Sequence, residues 1–355
     1  MIDPSPARAA PNADNVLPLR HVAALLVIYG HSYDLSGAPA EGDLVTRLLP
    51  GFKAGSLGVY VFFALSGFLL MRSLIARPEL LRYLRHRALR ILPAYWVCLL
   101  ACVLLLGPTF SSLGAVDYFR HPETWAHLSG NILPLSFVWG LPGVFTDHVF
   151  PEVVNGSLWS LGLELRWYGY LALLLALGLA QRRWAFSVVA VLFLAVAAAE
   201  TLAGKPDPLH YRALSVVFVL GALWAHWWTW HPPRHSGLLA CLALALLCHG
   251  SAWTGAANTL LVLYASLWAA YALPALPWSS RRDYSYGLYL YGFPVQQSLL
   301  ALYPALSPLA LCVWASLVAL LLAWLSWHLV EQPMLRWRSL GAPGARLPSA
   351  PVAAA

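Results

Sequence analysis

The sequence predicts an all-α fold, a polytopic integral membrane bundle of about ten transmembrane helices with both termini cytoplasmic, and three observations carry that expectation. Of 355 residues, 60% are apolar or aromatic and 10% are charged, against about a quarter charged in soluble domains. Apolar stretches near the roughly 20 residues that cross a hydrocarbon core recur almost from end to end, with a mean hydropathy of +0.65. Arginines gather in alternate connecting loops, as they do when retained on the cytoplasmic side.

The spans are expected at 16–33, 57–74, 91–107, 157–180, 184–203, 209–229, 236–250, 256–273, 285–303 and 309–330. The first lacks a small-residue cleavage site after its apolar run and reads as an uncleaved helix. Segment 126–145 is apolar but broken by Pro134, Gly140, Pro142 and Gly143, and reads as an interfacial or re-entrant piece. One membrane domain, 16–338, is expected between Pro- and Ala-rich cytoplasmic tails at 1–15 and 339–355, both read as disordered.

Orientation rests on the loop between the second and third spans, with Arg72, Arg77, Arg82, Arg85, Arg87 and Arg90. Every second loop repeats the bias: Arg182 and Arg183, then Arg234, then Arg281 and Arg282, then Arg336, Arg338 and Arg346. The net charge of +7 is thus topological and favours anionic headgroups; no basic stripe with interleaved aromatics points to nucleic acid. Tryptophans such as Trp224, Trp227, Trp228 and Trp230 cluster at cytoplasmic helix ends as an interfacial belt does. Cys98 and Cys102 share a helix face, but no His or second Cys pair completes a metal site, so no metal is expected.

Ionisable groups inside a bilayer are costly, so each is a candidate for function. Arg20 and His31 lie eleven residues apart on the first span, on one helix face and about 16 Å apart along the axis. His31 has the chemistry to take a proton from a hydroxyl; equally, Arg20 could snorkel and His31 satisfy a buried hydrogen bond. Ser66 and Gly67 sit mid-helix among bulky residues, as packing positions or, for Ser66, as a nucleophile without a visible base. Arg87 and Arg90 are three apart, forming a phosphate fork or a topological anchor. Glu164 is placed to pair with Arg166 or Arg212, or to orient His31. Neither Glu200 nor His226 has a visible partner.

Taken in order, these pieces resemble the acyltransferase-3 family of bacterial membrane acyltransferases over residues 16–338. The matching elements are Arg20 with His31, Phe62-Phe63-Ala64-Leu65-Ser66-Gly67-Phe68, Arg87-x-x-Arg90 before Ile91 and Pro93, Trp159-Ser160-Leu161-x-x-Glu164, Ser285-Tyr286-Gly287-Leu288-Tyr289-Leu290, and Glu331-Gln332-Pro333. The resemblance implies an O-acyltransferase of the bacterial inner membrane, moving an acyl group, commonly acetyl from acetyl-CoA, to a hydroxyl of a carbohydrate or related acceptor. It implies Arg20 and His31 in transfer and Arg87 with Arg90 at the cytoplasmic donor side. Glu164 is placed with the catalytic set, and Ser66, Gly67, Trp159, Tyr286, Tyr289 and Glu331 are supporting.

Acyl-CoA is expected as co-substrate, with no permanently bound cofactor. Direct transfer with His31 as general base and an acyl-enzyme on His31 or Ser66 both fit. The chain departs from the family at Gly292, where a His is frequent, and is expected to lack the extracytoplasmic hydrolase-like domain some members carry. The competing class is a transporter or flippase for a glycan or lipid-linked substrate, which predicts inverted repeats and broken helices near the midplane. Oligomeric state is not legible.

Overall fold

A computed structural model describes residues 14–207, 209–229, 231–276 and 282–337; the predicted tails, Trp230, Arg281, Arg338 and Arg346 lie partly or wholly outside them. A helix overlaps each predicted span: α1 (Val16–Leu35), α2 (Ala54–Ala76), α3 (Leu80–Phe110), α4 (Trp159–Ala176), α5 (Arg183–Leu202), α6 (Tyr211–Trp227), α7 (His235–Leu247), α8 (Thr254–Tyr271), α9 (Ser285–Leu302) and α10 (Pro308–Arg336). The described residues contain no strand. By length and composition, α2, α3, α5 and α10 are long and apolar enough to cross a membrane.

Two helices carry irregularities. α3 has Pro93 in its interior and a π-helical turn at Cys102–Leu106. α10 has a π-helical turn at Trp327–Glu331, which re-aims the side chains that follow it. Such insertions concentrate at functional sites, and this one ends on the carboxylate of the Glu331-Gln332-Pro333 motif.

α2 is the hub, packed along α1 and α6 with α8 beside it, while α9 packs on α1 and α10. In a bilayer, helices gain little from hydrophobicity and associate through close packing of small residues. A Cβ added to Gly67 would overlap the Phe218 carbonyl of α6, and one on Gly58 would overlap the Ala23 carbonyl of α1. The packing role anticipated for Gly67 is therefore its geometry. α5, by contrast, contacts chiefly α6 and is largely exposed along its length.

Between α3 and α4 runs a short helix, Pro122–Gly130, followed by irregular backbone. Its polar groups are satisfied internally. Asn131 bonds the Val138 N–H and carbonyl, and His127 Nδ1 lies 2.7 Å from the Gly140 carbonyl. Tyr95 and Trp96 of α3 donate to the Asn131 and Ile132 carbonyls, while Phe137 packs on Gly162 of α4. These contacts tie the segment to α3 and α4, while Ile132, Leu133, Leu135 and Val138 stay exposed. Asn155 then donates to the Leu290 carbonyl of α9 at 3.0 Å, fixing where α4 begins.

Gly67→Ala is expected to lower the melting temperature in detergent, by an overpacking cost of about 1–3 kcal/mol. Gly169→Ala on α4, where a Cβ meets nothing within 4 Å, is expected to leave it unchanged or raise it, since Ala favours a helix interior over Gly; equal behaviour of the two variants in a thermal shift assay contradicts the hub assignment.

Candidate active site

A cavity of about 340 Å³ opens among the ends of α1, α2, α3, α4, α9 and α10. Its wall brings together Arg20, Ser66, Arg87, Arg90, Glu164 and Tyr286, six of the residues singled out in the sequence. It lies at the end of the bundle that carries the arginine-rich α2–α3 connection, where Arg85 donates to the Trp337 carbonyl.

The cavity is organised by one carboxylate that the sequence reading passed over. Asp283 Oδ2 accepts from Arg90 at 2.6 Å and from Arg20 Nε at 3.2 Å, and Arg90 reaches on to Glu331 at 2.9 Å. Asp283 Oδ1 accepts from the backbone N–H and hydroxyl of Ser285, and Glu331 accepts from Ser326 at 3.1 Å. Four groups from the α1, α3, α9 and α10 regions thus form one ionic chain, with side-chain exposures of 17% or less. Burial acts to raise the Asp283 carboxyl, but Arg20, Arg90 and the Ser285 hydrogen bond hold it well below the usual carboxylate range.

Arg87 and Arg90 therefore do not form a matched fork. Both terminal nitrogens of Arg90 are engaged by carboxylates, and its guanidinium lies over the Tyr286 ring at 5.5 Å. Arg87 lies over the Tyr168 ring at 5.8 Å, its Nε is buried without a hydrogen-bond partner, and it has no carboxylate partner among the described residues. Of the three arginines in the wall, Arg90 has both terminal nitrogens engaged, Arg20 meets Asp283 through Nε, and Arg87 meets no carboxylate among the described residues.

Glu164 is not paired with Arg166, Arg212 or His31. Its Oε1 accepts from Tyr168 at 2.6 Å and Ser66 at 3.2 Å, so Ser66 has a carboxylate neighbour that was invisible in its own helix. Arg166 instead donates to the Leu135 carbonyl. Glu200 has partners in Lys205 and, more distantly, Arg212. The remaining motif residues are structural neighbours of the site. Tyr286 donates to the Ile91 carbonyl at 3.0 Å. Tyr289 bonds the Ser157 carbonyl and the Ser160 hydroxyl, and Trp159 stacks on Tyr211 at 5.9 Å.

His31 is not in the wall of this cavity. It sits farther along α1, edge-on to Phe293 of α9 at 5.2 Å, with Nδ1 buried and unpartnered. Around it Gln296 donates to the Ile28 carbonyl and the Ser32 hydroxyl, both at 2.7 Å. An added Cβ at Gly292 would lie 2.8 Å from the Ile28 side chain, so the imidazole frequent there in the family would require that side chain to shift. Asp283, Tyr168 and Gln296 were missed. Asp283 had a local signal, an acidic residue two before the helix-starting Ser285, but it stands beside two arginines and merged with the topological charge.

Removing the Asp283 charge leaves the largely buried Arg20 without a carboxylate and Arg90 with Glu331 alone, a defect worth about 3 kcal/mol or more. Asp283→Asn is expected to destabilise the protein by that order at neutral pH. Because its folded-state pKa is depressed, Asp283 contributes stability above the unfolded carboxylate value of about 4 and loses it as pH falls below. The wild type should therefore lose stability on acidification more steeply than Asp283→Asn, as measured by melting temperature against pH.

An acyltransferase domain, that of the acyltransferase-3 family, matches residues 19–328. An O-acetyl transferase of Shigella phage Sf6 is 29% identical over 333 residues, covering 89% of this chain and 94% of the phage protein. Nodulation protein 10 of Rhizobium leguminosarum bv. viciae is 27% identical over 363 residues, covering 95% and 97%. The exopolysaccharide production protein ExoZ of Rhizobium meliloti (strain 1021) is 28% identical over 184 residues, half of this chain and 52% of ExoZ. No solved structure matches the chain. With the family matching from α1 into α10 across every residue of the cavity just described except the ends of its rim, this chain belongs to the acyltransferase-3 family and is an O-acyltransferase.

Proposed function

We propose that this O-acyltransferase moves an acyl group, acetyl in the simplest case, from acyl-CoA to a hydroxyl of a carbohydrate, in the bacterial inner membrane. On this reading the ten helices all span the bilayer and both termini are cytoplasmic, in keeping with the arginine distribution. The observation that carries the donor assignment is Arg87, an arginine in the cavity wall with a buried unpartnered Nε and no carboxylate. A phosphate of CoA would supply the missing acceptor. Arg90, held by Asp283 and Glu331, sets the field of the cavity rather than binding directly.

His31 is the proposed general base. Its imidazole would take the proton of the acceptor hydroxyl as that oxygen attacks the thioester carbonyl; the C–S bond breaks, and the CoA thiolate leaves and is reprotonated. Acetyl as the group is supported by the name of the phage relative, and a glycan acceptor by that of ExoZ.

Free CoA release by the purified protein in nanodiscs, with acetyl-CoA and a panel of glycan acceptors, tests both assignments. His31→Ala is expected to lower kcat by about 100-fold or more, the scale of lost general-base catalysis, with folding retained. Arg87→Ala is expected to raise the acetyl-CoA KM about tenfold, the scale of one charge-assisted hydrogen bond, with a smaller effect on kcat. A His31→Ala enzyme with unchanged turnover removes the base assignment.

A further inference from the structure

The donor cavity has a polar floor that the transfer reading leaves unused. Along α2 its wall runs from Ser73, near the end of that helix, inward to Ser66, seven residues or about 10 Å at 1.5 Å per residue. Glu164 of α4 stands beside Ser66 at 3.2 Å. Arg87 is nearer the mouth, over the ring of Tyr168. Tyr168 lies one turn of α4 outward from Glu164, about 6 Å along the axis.

Glu164 is satisfied on one oxygen only. Its Oε1 takes both hydrogen bonds, from Tyr168 at 2.6 Å and from Ser66. Among the described residues nothing donates to Oε2 and no cation pairs with the carboxylate, and Oε2 is open to the cavity rather than sealed by protein. From the mouth inward, the wall therefore presents a guanidinium without a carboxylate and then a carboxylate without a cation, with Tyr168 between them.

The order of these two charges selects the occupant. A phosphate at the floor would meet the like charge of Glu164, so an anion is favoured at the mouth, against Arg87. Whatever extends beyond that anion must carry an N–H or O–H for Oε2. The alkyl chains of a phospholipid have none, and would cover the carboxylate at a cost. Acyl-CoA has both: its pantoyl hydroxyl and the amide next to it follow the diphosphate by about 5–8 Å of chain at standard bond lengths, which matches the one-turn step from Tyr168 to Glu164.

We propose that Glu164 is a specificity-determining residue for the donor, its Oε2 accepting a hydrogen bond from the pantoyl hydroxyl or the adjacent amide N–H of acyl-CoA. The assignment rests on the acyl-CoA reading above. It makes Glu164 a group that recognises the arm of the donor, and it sends the rest of that arm inward past Ser66, the direction in which His31 lies along α1.

The test is isothermal titration calorimetry of the purified protein in nanodiscs with CoA and with 3′,5′-ADP, which keeps phosphates on adenosine and lacks the arm. The wild type is expected to bind CoA about tenfold more tightly, the scale of one hydrogen bond to a charged group. Glu164→Gln keeps an oxygen for Ser66 and Tyr168 but turns an NH2 group toward the arm. It should weaken CoA binding about tenfold and leave 3′,5′-ADP unchanged, whereas Arg87→Ala should weaken both. Equal affinity of the wild type for the two ligands, or CoA binding indifferent to Glu164→Gln, overturns the proposal; so does an equal loss for both ligands, which marks a structural role. CoA release from acetyl-CoA with a glycan acceptor, measured alongside, separates this from the transfer reading. Glu164-dependent CoA binding without any acyl transfer keeps the arm contact and removes the transfer; transfer with CoA affinity indifferent to Glu164→Gln does the reverse.

Discussion

Everything in the candidate site depends on keeping guanidinium groups charged inside an apolar bundle. A lone arginine there is costly, and Arg90 at 14% side-chain exposure is held by two carboxylates from different parts of the chain. Asp283 serves Arg90 and Arg20 together, so α1, α3 and α9 meet at one oxygen. Glu331, delivered by a π-helical turn, brings in α10. Once these charges are matched, Arg87 is left in the same wall over the Tyr168 ring and without a carboxylate partner among the described residues. Two carboxylates and two arginines also fix Tyr286 beneath Arg90, and through it the start of α9 against Ile91 of α3.

The helices were legible because apolar runs mark them: a helix overlaps every predicted segment, and the segment broken by Pro134, Gly140, Pro142 and Gly143 is irregular where it packs between α3 and α4. Individual site residues were legible for the same reason in reverse, since Arg20, Glu164 and Arg90 each interrupt apolar sequence. Their partners were not. Glu164 lies beside Ser66 and Tyr168 because α4 approaches α2, and no local spacing encodes that approach. Arg87 and Arg90 share a helix face, yet tertiary contacts with Asp283 and Glu331 give them unequal surroundings, which the three-residue interval could not show. Asp283 was hidden by its neighbours, because a carboxylate after two arginines reads as loop charge until the helix that follows it is placed.

The bundle divides the proposed chemistry between two ends. Arg20 and Arg87 face the cavity at the arginine-rich end, while His31 lies three turns farther along α1 against Phe293, enclosed by the α1–α9 contact that Ile28, Ser32 and Gln296 make. On the proposed reading, donor and acceptor approach from opposite faces, and the acyl group crosses part of the membrane within the protein.

The sidedness of the reaction tests this account most directly. In proteoliposomes of established protein orientation, acetyl-CoA is sealed on one face and a glycan acceptor supplied on the other. The account predicts acetylated acceptor when acetyl-CoA is on the face of the α2–α3 connection and the acceptor on the opposite face, and none when the positions are exchanged. Acetylation of an acceptor confined to the same face as acetyl-CoA would contradict it.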